Sequence, residues 1–557
     1  MKTKLFFAAM AAVAIVGCNK EVAETPAIAD GEASFLTVNL KAAGTITRAA
    51  EPGTFVFGEE HENSVETIHF YFFDAEGNAY AVQAGSNNIA WYEGDKEEDP
   101  NVEEISDLVL VIKKSKDVPP AKMVVVLNAP KDLQVNSISL SELEEAVTTN
   151  LTNESGDFVM TNSVYADGLN NVINATEISG DNFFTTTDEL KDVKPGDVFE
   201  ADEVSTLPKE IVPVDVYVER VAAKVKVELA EDGLYDTDAE INGKKVYAKV
   251  LGWDVTNTTD QAYVLKQIDP TWGEELGFEP WNIPGLYRSY WANTTATPKH
   301  GKTFEALIGA NLETPYNYYF ENTLPAGDGV NVVDGTSAEG HNQTPQLLVA
   351  AQLVTVDVDG DTEPVEFAKW YDVVYSVADV KKAMLNSVAS KLYKKVSVTT
   401  GEEGETETRY EKIELEDVVL YQVDEKTPDN RYEVKLMLAE ENENEYYSPA
   451  EASVNGEPYT AEEVKALLES VSPAQVWTEG YTYYYTNIKH FGDATGMVRN
   501  HVYEVTISAI TGLGTPVYNP GHIITPEEPE EQEALNIAAQ INILSWHVVS
   551  QNVSLGK

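Results

Sequence analysis

The chain has 557 residues, 93 acidic against 39 basic side chains, and a formal net charge of −54. That balance argues against nucleic acid or an anionic membrane surface as the main partner, because phosphate binding needs clustered Lys and Arg. Hydrophobic residues make up 43%, which permits large cores and argues against global disorder. The length allows roughly two to four domains, and a single cysteine excludes an intrachain disulfide and a thiolate metal cluster.

Lys2 and Lys4 form a short basic region ahead of an apolar stretch from Leu5 to Val16. That stretch is about the length of a signal-peptide core and too short to span a bilayer comfortably. It ends in Ile15-Val16-Gly17-Cys18, an aliphatic, small, cysteine pattern that resembles a lipobox. Residues 1–18 are therefore expected to be a lipoprotein signal with Cys18 as the lipidated residue; an ordinary signal peptide with a chance cysteine is the plainer alternative. Asn19-Lys20-Glu21 resembles the acidic export signals of Bacteroidetes surface lipoproteins. Residues 19–33 are small and acidic, and read as a tether. Phe35-Leu36-Thr37-Val38-Asn39-Leu40 then puts Leu36, Val38 and Leu40 on one face of a strand. A small-residue loop, Ala42 to Ala50, carries one basic residue, Arg48.

Ile68, Phe70 and Phe72 alternate before the turn at 74–78. Residues 108–112 and 123–127 are short continuous apolar runs that predict buried strands. Residues 139–148 have helical spacing, with Ser141 and Glu144 placed as a capping box. Residues 150–205, rich in Asn, Thr, Asp and Gly, predict long surface loops. Val212, Val214, Val216 and Val218 alternate, and Val221, Ala223, Val225, Val227 and Leu229 alternate on the opposite parity. Such a phase change marks a bulge or a passage between sheets, and it places a domain boundary near residue 212, between 49–211 and 212–557. Farther on, Asn242-Gly243 and Asp359-Gly360 predict hairpin turns. Residues 376–394 and 460–470 predict helices, the second opened by a Thr460 and Glu463 capping box. No repeat of roughly 20 to 50 residues recurs, so the expected fold is mostly β, built as two β-sandwich domains with long loops and a few short helices.

Two stretches resemble a known family. One is Val218-Glu219-Arg220-Val221-Ala222-Ala223-Lys224-Val225. The other comprises Tyr483-Tyr484-Tyr485, Met497-Val498-Arg499-Asn500-His501-Val502-Tyr503, Ile510-Thr511-Gly512-Leu513-Gly514-Thr515-Pro516-Val517 and Trp546-His547-Val548-Val549-Ser550-Gln551. They are similar to the major fimbrillins, the shaft pilins of Bacteroidetes type V pili, and most similar to the short-fimbria (minor fimbrium) branch. The resemblance implies two transthyretin-like β-sandwich domains and a precursor carried to the outer membrane as a lipoprotein. It further implies that an arginine-specific, trypsin-like protease cuts in the loop after the first strand, and that the C-terminal strand of another copy fills the groove left behind. Accessory tip and anchor fimbrial subunits would be the other partners, and the product would be a cell-surface fimbrium.

On that resemblance Arg48 is the expected cleavage site, leaving Ala49 as the new N-terminus. It is the first arginine in the chain, and its small neighbours suit an exposed, extended protease substrate; Lys41 is the nearest competitor. The removable strand is 33–41, with Phe35, Leu36, Val38 and Leu40. The candidate donor, about 541–557, alternates through Ile541 and Ile543, and through Leu544, Trp546 and Val548. Val549, Val553 and Leu555 take the opposite parity, which suggests two segments joined by a kink. The plainer alternative is a last strand packed in its own chain. The tyrosines at 481 and 483–485 read as sheet packing rather than a sugar platform, and Asp357 to Asp361 as a hairpin rather than a calcium loop. His-Glu-x-x-His, Gly-x-Ser-x-Gly, P-loop and dinucleotide patterns are absent from the sequence, so neither enzyme activity nor a cofactor or metal is expected. The competing readings are an anchored surface glycan-binding lipoprotein and a tip or anchor subunit of the same family.

Overall fold

The structure, a computed structural model, describes residues 33–526 and 546–555, except 43–54, 57, 83–88, 94–105, 114–119, 132, 135–136, 164, 167–171, 185–196, 201–212, 269–291, 326–327, 334, 372, 401–404, 424–432, 441 and 491–493. Cys18, Arg48, Ala49, Ile541, Ile543 and Leu544 lie outside the described residues.

The apolar runs of the first half pair into one sheet. Its strands are β1 (Ala33–Ala42), β3 (Thr67–Phe73), β4 (Ile89–Glu93), β5 (Ser106–Lys113), β6 (Lys122–Leu127), β7 (Met160–Asn162), β8 (Val198–Glu200) and β9 (Val214–Arg220), in the order β8-β5-β1-β9-β7-β6-β3-β4. The short strand β2 (Phe55–Val56) belongs elsewhere. Continuous apolar runs are buried on both sides. Residues 108–111 and 123–127 are accordingly at most 2% exposed. One face packs around Phe70, Leu110, Val125 and Val216, the other around Tyr71, Val124, Leu143 and Val221. The stretch expected as loops contributes β7 and β8, because its few apolar residues are enough to extend the sheet once neighbours offer an edge.

At Val221 the chain leaves this sheet. β9 ends at Arg220, and β10 (Ala222–Glu228) starts in a second sheet. The valine phase change is this passage between sheets. The second half forms two facing sheets. One runs β2, β17 (Trp546–Leu555), β16 (His501–Ile510), β10, β13 (Tyr316–Phe320). The other runs β11 (Leu234–Ile241), β12 (Lys244–Thr256), β14 (Gln346–Val356), β15 (Tyr481–Asn487) and Thr515–Pro516. Their shared core includes Val225, Trp253, Val349, Tyr484 and Tyr503. Asn242 and Gly243 turn the β11–β12 hairpin with φ of 53° and 76°, the left-handed pair that a tight two-residue turn requires.

Between β14 and β15 an excursion builds a third core that the sequence reading did not anticipate. It gathers Ala368, Met384, Leu436, Val464 and Val476, with helices Val377–Val388 and Ala461–Glu469 packed on it. The Thr460 and Glu463 capping box forms as expected. The earlier helix spans Leu140–Glu145 and is capped by Ser139 and Glu142, two residues before the pair expected. Both pairs have the required spacing, and Leu143 is buried.

His69 on β3 is buried, and burial pushes its pKa down to about 4 from 6.5. The native state therefore holds the neutral ring, while the unfolded chain takes up a proton. The resulting stability, about 3 kcal/mol at most, is present above pH 6.5 and lost as pH falls toward 4. His69→Gln is expected to flatten the fall of Tm across that window; an unchanged slope would assign the acid sensitivity elsewhere.

Candidate functional site

β1 sits inside its sheet. It pairs antiparallel with β5, from Ala33 opposite Lys113 to Leu40 opposite Ser106, and parallel with β9, from Val38 opposite Val214 to Ala42 opposite Val218. Phe35 and Leu36 also pair with Phe184 and Phe183. The positions named as a removable strand thus lie in one strand between two ladders. Its neighbours carry buried Leu108, Leu110, Val214, Val216 and Val218, which form part of the core beneath the slot.

The chain end is the last strand of a sheet within its own chain. β17 pairs parallel with β16, from His501 opposite His547 to Ile510 opposite Leu555. Trp546, Val548, Val549, Val553 and Leu555 lie in one strand, and the register runs unbroken across Val548 and Val549. The irregularity expected there falls instead at Ile507 and Ala509 of β16. Leu555 is buried in the core of the C-terminal sheets.

The quoted motif residues converge where the chain crosses between sheets. Glu219 at the end of β9 pairs with Lys266 at 3.0 Å, both fully buried. Arg499 pairs with Glu321 and donates to the carbonyls of Val264 (3.1 Å) and Tyr263 (2.7 Å). Arg220 donates through Nε to the Glu62 carbonyl (2.8 Å) and through Nη1 to Asn500 Oδ1 (3.2 Å). Asn500, at φ 58°, returns its own N–H to the Ala222 carbonyl. His501 Nδ1 meets the Arg499 carbonyl at 2.7 Å, and the Tyr503 hydroxyl accepts from the Val498 N–H. Burial pushes the Glu219 carboxyl up and the Lys266 ammonium down. Burial opposes the Arg499 charge, but the neighbouring Glu321 carboxylate more than offsets it and raises the pKa. Two opposite pairs in a dry space fix the geometry of the crossing, while Arg499 Nε and Asn500 Nδ2 are buried without a hydrogen-bond acceptor among the described residues.

Residues 475–552 match the family described as major fimbrial subunit protein type IV, fimbrillin, C-terminal. This C-terminal stretch is similar to the fimbrillins. No curated protein matches it significantly. Among solved structures, it is similar to a putative cell adhesion protein of Parabacteroides distasonis at 15% identity, covering 57% of this chain and 75% of that one with a TM-score of 0.28. A tip fimbrial protein of Porphyromonas gingivalis, Mfa3 with a C-terminal truncation, matches at 11% identity over 60% and 82%, TM-score 0.28. A fimbrial assembly protein of Parabacteroides distasonis matches at 10% identity over 60% and 100%, TM-score 0.26.

Within the matched fimbrillin region the Gly512 to Pro516 stretch has a local cause. Gly514 has φ 64°, and a Cβ there would stand 2.4 Å from Thr482 Oγ1 and 2.8 Å from the Tyr484 ring. The Leu513 carbonyl accepts from Trp477 Nε1 (3.1 Å) and Thr482 Oγ1 (2.8 Å), and the Gly512 carbonyl from the Tyr484 hydroxyl (3.0 Å). Tyr483 and Tyr484 are buried and pack in the sheet, while Tyr481 and Tyr485 are half-buried. Asp357 Oδ1 accepts from the N–H groups of Asp359 and Asp361, which closes the hairpin expected there. Sequence reasoning missed Lys266 and Glu321 as junction partners. The available signal was Glu219-Arg220, a charged pair interrupting an alternating valine run, which demands buried counter-charges.

Proposed function

We propose that the chain is the shaft-forming subunit of a cell-surface fimbrium. On this reading it is exported as a precursor lipidated at Cys18 and cut after Arg48 by an arginine-specific trypsin-like protease. It then polymerises when the C-terminal strand of another copy enters the slot of β1. The two units joined at Val221 act as its N-terminal and C-terminal β-sandwich domains. The supporting observation is the place of β1 between β5 and β9. An edge strand could leave at the cost of one ladder, whereas loss of β1 uncovers two, and an incoming strand regains both. A cut after Arg48 severs β1 from the rest of the chain just past its end.

About five aliphatic side chains entering the slot, at roughly 1.5–3 kcal/mol each, supply roughly 7–15 kcal/mol before the costs of association. That suffices for a long-lived joint. Fibres sheared from cells and imaged by electron microscopy are expected to consist of subunits whose N-terminal residue is Ala49 by mass spectrometry. A different start would overturn the cleavage assignment, and a subunit still carrying Cys18 would favour an anchored lipoprotein.

A further inference from the structure

The outer edge of the C-terminal strand is not free. β17 would end its sheet but for β2, which pairs with it antiparallel, Phe55 opposite His547 and Val56 opposite Trp546. β2 is the first described strand after Arg48 in the chain. It is held from both sides. Toward the N-terminus it is covalently continuous with β1, which is paired along its length in the other sheet. Toward the C-terminus it runs into the helical turn Glu60–Asn63, fixed to β10 and β13. Lys224 Nζ lies 2.7 Å from Glu62 Oε1 and 4.0 Å from the centre of the Tyr316 ring, and Tyr318 donates to Glu62. Arg220 Nε binds the Glu62 carbonyl from the end of β9.

We propose that Phe55–Val56 is a latch that holds the C-terminal strand on its own sheet until the precursor is cut. This rests on the reading that β17 is the donor strand and that Arg48 is cleaved. A two-residue strand makes few ladder bonds, and its pairing persists because both of its ends are held. Cleavage at Arg48 turns the segment ahead of β2 into a chain end, and chain ends fray. One cut then does two things: it lets β1 leave its slot, and it loosens the strand that fills the slot of another copy. Donor and acceptor become competent together, so an uncut precursor neither offers a strand nor accepts one.

Hydrogen exchange at the amides of residues 546–548 of the full precursor tests this. These amides are expected to exchange at least about tenfold faster after cleavage at Arg48, and also in the uncut Val56→Pro precursor, where the proline cannot keep its place in the ladder. Unchanged exchange in either would overturn the latch. A second arm does not depend on the proline variant folding. In Phe55→Cys/His547→Cys the two new cysteines stand at directly paired positions of β2 and β17, and a cut after Arg48 takes Cys18 away with β1. The oxidised, cut protein is expected not to form fibres, and reductant is expected to restore them; fibre growth at the wild-type rate while oxidised would overturn the latch. Should removal of residues 547–557 leave fibre formation intact, the donor reading would fail, while the exchange measurement would still decide the latch.

Discussion

A precursor lacking residues 547–557 is expected to be exported, cut and folded, and to remain monomeric. The deletion removes nearly all of β17, which the slot of another copy would otherwise receive. It also strips β16 of one neighbour and takes Leu555 out of the core. Losing that side chain alone costs about 1.5–3 kcal/mol, so the truncated protein should melt at a lower temperature. It should still fold, because β16 keeps its ladder with β10 from Lys224 opposite Val502 to Glu228 opposite Thr506. Val225, Trp253, Val349, Tyr484 and Tyr503 remain in the core. Gel filtration of the cut protein, with electron microscopy of the cell surface, reads the outcome, and fibres of normal length would remove β17 from the assembly mechanism. Leu555→Ala separates the two effects. It should lower Tm with a smaller loss of fibres, since the main-chain ladder of the donor survives.

The elements legible in the sequence were those whose signal is local. The buried runs at 108–112 and 123–127, the Asn242-Gly243 turn and the Thr460 cap each carry their cause within a few residues, and each appears where expected. The passage between sheets at Val221 was legible as a parity change because one residue outside a ladder reverses every side chain that follows. What stayed hidden depends on distant partners. Nothing near Phe55 in sequence reveals that it will pair with His547. Nothing near Lys266 or Glu321 indicates that they answer Glu219 and Arg499. The third core around Met384 and Leu436 was legible only as the two helices at 376–394 and 460–470, since periodicity reports which face is apolar and is silent on what covers it. The kink expected at Val549 shows the same limit. Ser550 and Asn552 interrupt the apolar pattern, but a strand paired through its backbone with β16 runs straight through polar positions.

Arg499→Met is expected to destabilise the protein by about 3–5 kcal/mol, because it leaves a buried carboxylate without its partner. Arg499 is fully buried and Glu321 nearly so. The loss does not stop at that pair. Arg499 also holds the carbonyls of Tyr263 and Val264, and it lowers the cost of ionising Glu219. Glu321 in turn supports the charge on Lys266. Removing one cation therefore shifts the Glu219 carboxyl further toward the protonated form, and the variant should become less stable as pH rises above the ordinary carboxylate range. Arg499→Met/Glu321→Leu removes both charges and should recover much of the loss, since a buried ion pair replaced by apolar groups is often close to neutral. Urea unfolding of the two variants at neutral pH measures the difference. Equal loss in both would mean that the main-chain hydrogen bonds of Arg499, rather than its charge, hold the junction. Recovery in the double variant raises a sharper question for assembly. The network ties the end of β9, one wall of the slot, to the residues that open β16, the strand on which β17 rests. If it fixes the angle between the two ends of the subunit, the double variant should fold and be cut normally yet give fibres that curve irregularly.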